Sequence, residues 1–113
     1  MNSVVIKSAN KAQIAQAVGD YVARLRAAHP EIERAIWFGS WVNGIPAPGS
    51  DVDLCLVVSV SDQPLRERAG AYLPVGFPVG LDLFVYTQAE LEHLRDTSPG
   101  WYGAIIAGRE VTG

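Results

Sequence analysis

Apolar residues recur at Ile14, Val18, Tyr21, Val22 and Leu25, with Gln13, Gln16, Asp20 and Arg24 between them. That spacing predicts an amphipathic helix from about Asn10 to Ala28 with one buried stripe. His29-Pro30 ends it, because proline disfavours a helical residue before it. The period then changes. Arg34 to Phe38 reads as a short strand rich in β-formers, and Gly39-Ser40 closes it. Trp41 to Asn43 fits one helical turn before Gly44. Gly44-Ile45-Pro46-Ala47-Pro48-Gly49-Ser50 reads as loop. Asp51 to Ser59 is the second strand, almost continuous in Val and Leu after an acidic start.

Further along, Asp62 to Leu73 is expected to be a helix capped by Ser61 or Asp62, with Arg66, Glu67 and Arg68 exposed. Pro74 to Pro78 is a second loop, and Val79 to Tyr86 a third strand. Thr87 is placed to cap a helix through Arg95, with Glu90 at the capping-box position. Pro99 opens a last short helix through Ala107, and Arg109 to Thr112 supplies a candidate edge strand. This order predicts an α/β (α+β) fold: a small mixed β-sheet flanked by helices.

Composition narrows the class. At 113 residues, 49% hydrophobic and 19% charged, the sequence is expected to form one globular domain over residues 1–113. Nine Lys and Arg against twelve Asp and Glu leave a net charge of −3, and the cations are scattered. The absence of a basic cluster argues against nucleic acid as the main partner. Runs such as Leu54–Val58 are too short to span a bilayer, and Met1–Lys7 lacks the features of a signal peptide. A single cysteine excludes an intrachain disulfide. A cytoplasmic protein is expected.

The acids change the picture most. Residues two apart on a strand share a face, so Asp51 and Asp53 point the same way, with Cα atoms roughly 7 Å apart. The other face, Val52, Leu54, Leu56 and Val58, is core. Asp82 sits between Leu81 and Leu83, and reaches the same place if the second and third strands are neighbours. Such acids are costly in apolar strands unless something cationic meets them. Oxygen ligands without nearby His or Cys favour Mg²⁺ or Mn²⁺ over zinc. Mg²⁺ binds through a few carboxylates plus substrate phosphates, which points to a nucleotide triphosphate. Gly39 allows a close backbone approach, and the Ser40 hydroxyl and following amides can donate to phosphate oxygens. Each feature alone has an ordinary explanation as a turn or a capped loop; the combination is what carries the signal.

Phe38-Gly39-Ser40, ten residues, then Ser50-Asp51-Val52-Asp53-Leu54 and a later apolar-Asp-apolar strand resemble the nucleotidyltransferase fold of the DNA polymerase beta superfamily. The minimal nucleotidyltransferases, often antitoxins of HEPN toxins, are most similar. The resemblance implies that Asp51 and Asp53 hold two metals, that Asp82 completes one metal site and helps activate the attacking hydroxyl, and that Gly39 and Ser40 hold the triphosphate. It further implies AMP transfer from ATP to a tyrosine of a small helical HEPN-type toxin. One small domain offers only a shallow groove, so assembly into a homo- or hetero-oligomer is expected. The chain departs from the family in one stretch. Trp41 and Asn43 stand where members often carry basic residues, although Gly44 is kept. That departure should weaken nucleotide binding unless Arg66, Arg68 or a partner supplies charge. Two other functions fit the same residues: an antitoxin that neutralises by binding alone, and a transferase acting on a small hydroxylated molecule.

The remaining candidates read as structural. Cys55 lies between Leu54 and Leu56 and is expected to be an inert core thiol. His29 and His93 lack spaced partners. Trp101, Tyr102, Ile105 and Ile106 form an apolar C-terminal patch, either core or a docking face.

Overall fold

A computed structural model describes residues 11–46, 50–74 and 76–112. The expected helix start at Asn10, the reading of Met1–Lys7 and parts of both loops lie outside the described residues. Helix α1 spans Lys11–Ala28 and buries Ile14, Val18, Tyr21, Val22 and Leu25, the stripe that the helical period marks. Strand β1 is Ile32–Phe38. The one-turn helix α2, Ser40–Asn43, follows directly. Strand β2 is Val52–Val58 and β3 is Leu81–Thr87.

Helix α3, Gln88–Thr97, starts with a complete capping box. The Glu90 amide donates to Thr87 Oγ1, and the Glu90 carboxylate accepts from the Thr87 amide. Helix α4 is Pro99–Ile106, with proline in its first turn. Strand β4, Arg109–Glu110, closes the chain's path along the sheet, and the Val111 amide continues its pairing onto Ala35.

The sheet order is β3-β2-β1-β4. Strand β2 runs antiparallel to β1 and parallel to β3, and β4 pairs antiparallel with β1. This is the mixed sheet expected from the sequence. Strand β2 is covered on both sides, which accounts for its continuous apolar run. Val52, Leu54, Leu56 and Val58 face α1 in one core. Cys55 and Val57 join Ile36, Phe38, Tyr86, Leu91 and Ile105 in another. Burial pushes the Cys55 thiol up to about 12, so it is inert at neutral pH. The C-terminal aromatics Trp101 and Tyr102, partly buried, pack against this second core. Trp101 packs edge-on against Phe38 and Phe84 and donates to Tyr86 Oη at 3.0 Å.

The crossover between the parallel strands departs from expectation. Residues Leu65–Ala71 form a 3₁₀ helix rather than an α-helix from Asp62, with no side-chain cap. Pro64, Gly70 and Pro74 bracket and weaken this stretch as an α-helix. Arg68 is also buried rather than exposed. Its guanidinium makes a bidentate pair with Glu90 at 2.5 and 3.1 Å and donates to the Gln63 and Val85 carbonyls. An edge carbonyl of β3 and the acid of the α3 cap together draw it inward. Among the described residues, no helix is long and apolar enough to cross a membrane.

Candidate functional site

Because β1 is antiparallel to β2 and β3 is parallel to it, one end of the sheet collects the end of β1 and the starts of β2 and β3. The register is direct: Phe38 pairs with Asp53, and Asp53 pairs with Asp82. The two aspartates therefore sit side by side on adjacent strands. Asp51 lies just before β2 begins. Asp53 is half-buried, whereas Asp51 and Asp82 are exposed.

Glycines make room for two of these acids. Gly39 has φ +89°, a left-handed conformation that L-residues with side chains avoid. A Cβ on Gly39 would also overlap the Asp53 carboxylate, which lies over its backbone. Gly80 plays the corresponding part for Asp51, whose carboxylate occupies the space a Gly80 side chain would fill. The Gly80 carbonyl accepts from the Val52 amide at 2.9 Å, which holds the two segments together.

Burial pushes the Asp53 carboxyl above the usual aspartate range, and the charges of Asp82 and Asp51 and a hydrogen bond shared with Asp82 add to this. None of the causes is a cation. Among the described residues, the ion pairs involve none of the three aspartates. Hard oxygen donors with uncompensated charge fit a divalent ion such as Mg²⁺ or Mn²⁺. They do not form a finished cage: no three ligand side chains among the described residues are already gathered around one point. Mg²⁺ needs only one or two carboxylates when a substrate's phosphates complete its shell.

The turn after β1 stands beside these acids. Val42 and Asn43 donate their amides to the Gly39 carbonyl at 3.0 and 2.9 Å, so the Ser40 and Trp41 amides lie ahead of the first bonded ones. The Ser40 side chain is exposed. A groove of about 340 Å³ runs past it, lined by Gly39, Ser40, Asn43, Gly44, Ala104 and Ala107. Neither this groove nor the larger hollows elsewhere, such as that between α1 and Tyr72, is lined by any of the three aspartates.

Trp41 and Asn43 are both engaged in the fold. Trp41 is buried in the α1 core, and its Nε1 donates to the Ser50 carbonyl at 2.8 Å. That bond ties α2 to Ser50, next to Asp51. Asn43 Nδ2 donates to the Ala107 carbonyl at 3.2 Å, at the end of α4. Of the arginines that could replace the missing cations, Arg68 is held by Glu90. Arg66 lines a hollow beside Leu83 and Phe84.

No family profile and no curated protein matches the chain. A solved structure does: a protein from Sulfolobus solfataricus, described as a candidate nucleotidyltransferase, superimposes with a TM-score of 0.60 at 19% identity. The match covers 76% of this chain and 78% of that one.

The fold is that of a nucleotidyltransferase. At this identity the likeness establishes the nucleotidyltransferase fold alone, and the site rests on this chain's own geometry. That geometry places Asp51, Asp53 and Asp82 at one end of the sheet, with Gly39 under Asp53 and Ser40 next in the chain. The sequence pattern does not single out Gly80, although a glycine two positions before a strand aspartate is a usable signal.

Proposed function

We propose that this chain is a metal-dependent nucleotidyltransferase that moves AMP from ATP to a hydroxyl, with a tyrosine of a HEPN-type toxin as acceptor, and so acts as an antitoxin in the cytoplasm. The observation that carries the chemistry is the in-register pair Asp53 and Asp82, with Asp51 beside them and the Gly39-Ser40 turn at the same sheet end. Asp51, Asp53 and Asp82 would hold Mg²⁺ or Mn²⁺, which supplies charge stabilisation at the attacking and leaving oxygens.

The residues of the chain divide the remaining work. Gly39 leaves room for the Asp53 carboxylate and for phosphate to approach the backbone. Ser40 Oγ and the leading amides of α2 donate to the triphosphate oxygens. A carboxylate oxygen of Asp82 takes the proton of the acceptor hydroxyl as its oxygen bonds to the α-phosphorus. The bond from that phosphorus to the bridging oxygen breaks, and pyrophosphate leaves. Positioning contributes most of the rate, as in other phosphoryl transfers. With ATP, Mg²⁺ and the partner protein, the intact mass of the partner should rise by one AMP, and Asp53→Ala should stop this. Transfer that survives Asp53→Ala removes the carboxylates from the reaction.

A second reading is supported by Trp41 and Asn43, which are engaged in the fold where cations would help to hold a triphosphate. On that reading the chain neutralises its partner by binding alone. Neutralisation that persists in an Asp51→Ala, Asp53→Ala variant would favour it.

A further inference from the structure

Nine glycines of the described residues can be compared by what a side chain on each would meet. Gly19, Gly70, Gly76, Gly100 and Gly103 would meet nothing within 4 Å, and Gly44 only ordinary contacts. Gly108 would meet the Trp37 carbonyl and Phe38, a packing constraint. The other two, Gly39 and Gly80, would meet carboxylates.

Gly39 is needed twice over, because its φ is positive. Gly80 differs. Its φ lies outside the left-handed region, so nothing in its backbone demands glycine. The obstacle to a side chain is the Asp51 carboxylate, whose Cγ would lie 2.8 Å and Oδ2 3.3 Å from the added carbon. Both residues are exposed, so no tight core explains the contact. The bond from the Val52 amide to the Gly80 carbonyl fixes the two backbones next to each other. Asp51 is thus laid over Gly80, and Asp53 over Gly39, from opposite flanks of β2.

We infer that Gly80 is a positioning residue: by lacking a side chain it sets where the Asp51 carboxylate lies relative to Asp53 and Asp82, and so sets the affinity of the three acids for a divalent metal. The metal part of this inference rests on the reading of the acids given above. Outer-shell partners that orient a ligand typically change metal affinity by about 10–100-fold when altered. Gly80→Ala adds one carbon without backbone strain and should act at the low end of that range.

The test uses Mn²⁺ titration of the full chain in four forms: unaltered, Gly80→Ala, Asp51→Asn, and the double variant. Gly80→Ala should keep the melting temperature and weaken Mn²⁺ binding about tenfold. The double variant should bind no more weakly than Asp51→Asn alone, because Gly80 acts only through Asp51. Unchanged affinity in Gly80→Ala, or an equal loss with and without the Asp51 carboxylate, overturns the inference. The carboxyl-carbon NMR resonance of Asp51 in metal-free protein separates the two claims. If the unaltered chain binds no Mn²⁺, the metal reading fails; a resonance shifted by Gly80→Ala still supports the positioning role, and an unshifted one overturns it.

Discussion

Asp53 on β2 stands directly across from Asp82 on the parallel strand β3, and burial, reinforced by the Asp82 charge, raises the affinity of Asp53 for a proton. Like charges placed opposite one another in a sheet are destabilising by roughly 0.2–1 kcal/mol. In the metal-free protein, Asp53→Asn should therefore raise stability by about 0.5 kcal/mol, measured by urea unfolding at pH 7. A loss of stability would mean that the acids are not repelling each other.

The same pair sets a pH dependence. The folded value of Asp53 lies above its ordinary value, so its contribution to stability is complete below the usual aspartate range. It is lost as pH rises through the elevated value. Metal-free protein should accordingly become more stable as pH falls through that elevated value towards the ordinary aspartate range, and Asp53→Asn should remove that trend. Millimolar Mg²⁺ should flatten it as well, because the ion takes the place of the proton.

Glu90 contributes the opposite slope. Its hydrogen bonds from Arg68, with lesser help from the Thr87 amide, hold its carboxyl down to about 2. A lowered folded value means that this stability is full above the ordinary glutamate range and is lost as pH falls through about 2. Acid unfolding should therefore be steep below pH 4.5, the ordinary glutamate value, and Glu90→Gln should make it shallower. Glu90→Ala should cost about 2 kcal/mol at neutral pH. That is below the 3–5 kcal/mol of a fully buried pair, because the Glu90 side chain is 40% exposed.

Trp41→Phe keeps the aromatic packing and removes the donor to Ser50. It should lower stability by about 1 kcal/mol, the worth of one hydrogen bond. It should also free Ser50 from α2, read as faster hydrogen exchange near Asp51. Exchange as slow as in the unaltered chain would mean that the indole does not hold Ser50 in place.

Asn43→Arg places a cation back on the turn beside Ser40. One charge-assisted hydrogen bond to phosphate corresponds to a gain of about tenfold in ATP affinity. The loss of the bond to Ala107 should cost about 1 kcal/mol of stability. Equilibrium binding of a fluorescent ATP analogue and a thermal melt read both effects.

The parts of this structure legible in the sequence are those fixed by local periodicity or local chemistry. The α1 stripe follows from helical spacing, the Thr87–Glu90 box from two residues three apart, and the shared face of Asp51 and Asp53 from the pleat. Contacts between distant segments were not legible in this way. Arg68 reads as a surface cation until Glu90, 22 positions later, is seen to reach it. Gly80 reads as an ordinary glycine of the third strand until β3 is placed beside β2 and the Asp51 carboxylate is found above it. Asn43 and Trp41 read as replacements for missing cations. Only the packed chain shows them tied to Ala107 and Ser50.

The most direct test of the account is the binding of the Mn²⁺–ATP complex, followed by electron paramagnetic resonance, to the unaltered chain and to Asp53→Asn. The account predicts saturable binding that Asp53→Asn abolishes while the fold, checked by circular dichroism, is retained. Equal binding by both chains, or none by either, would contradict it.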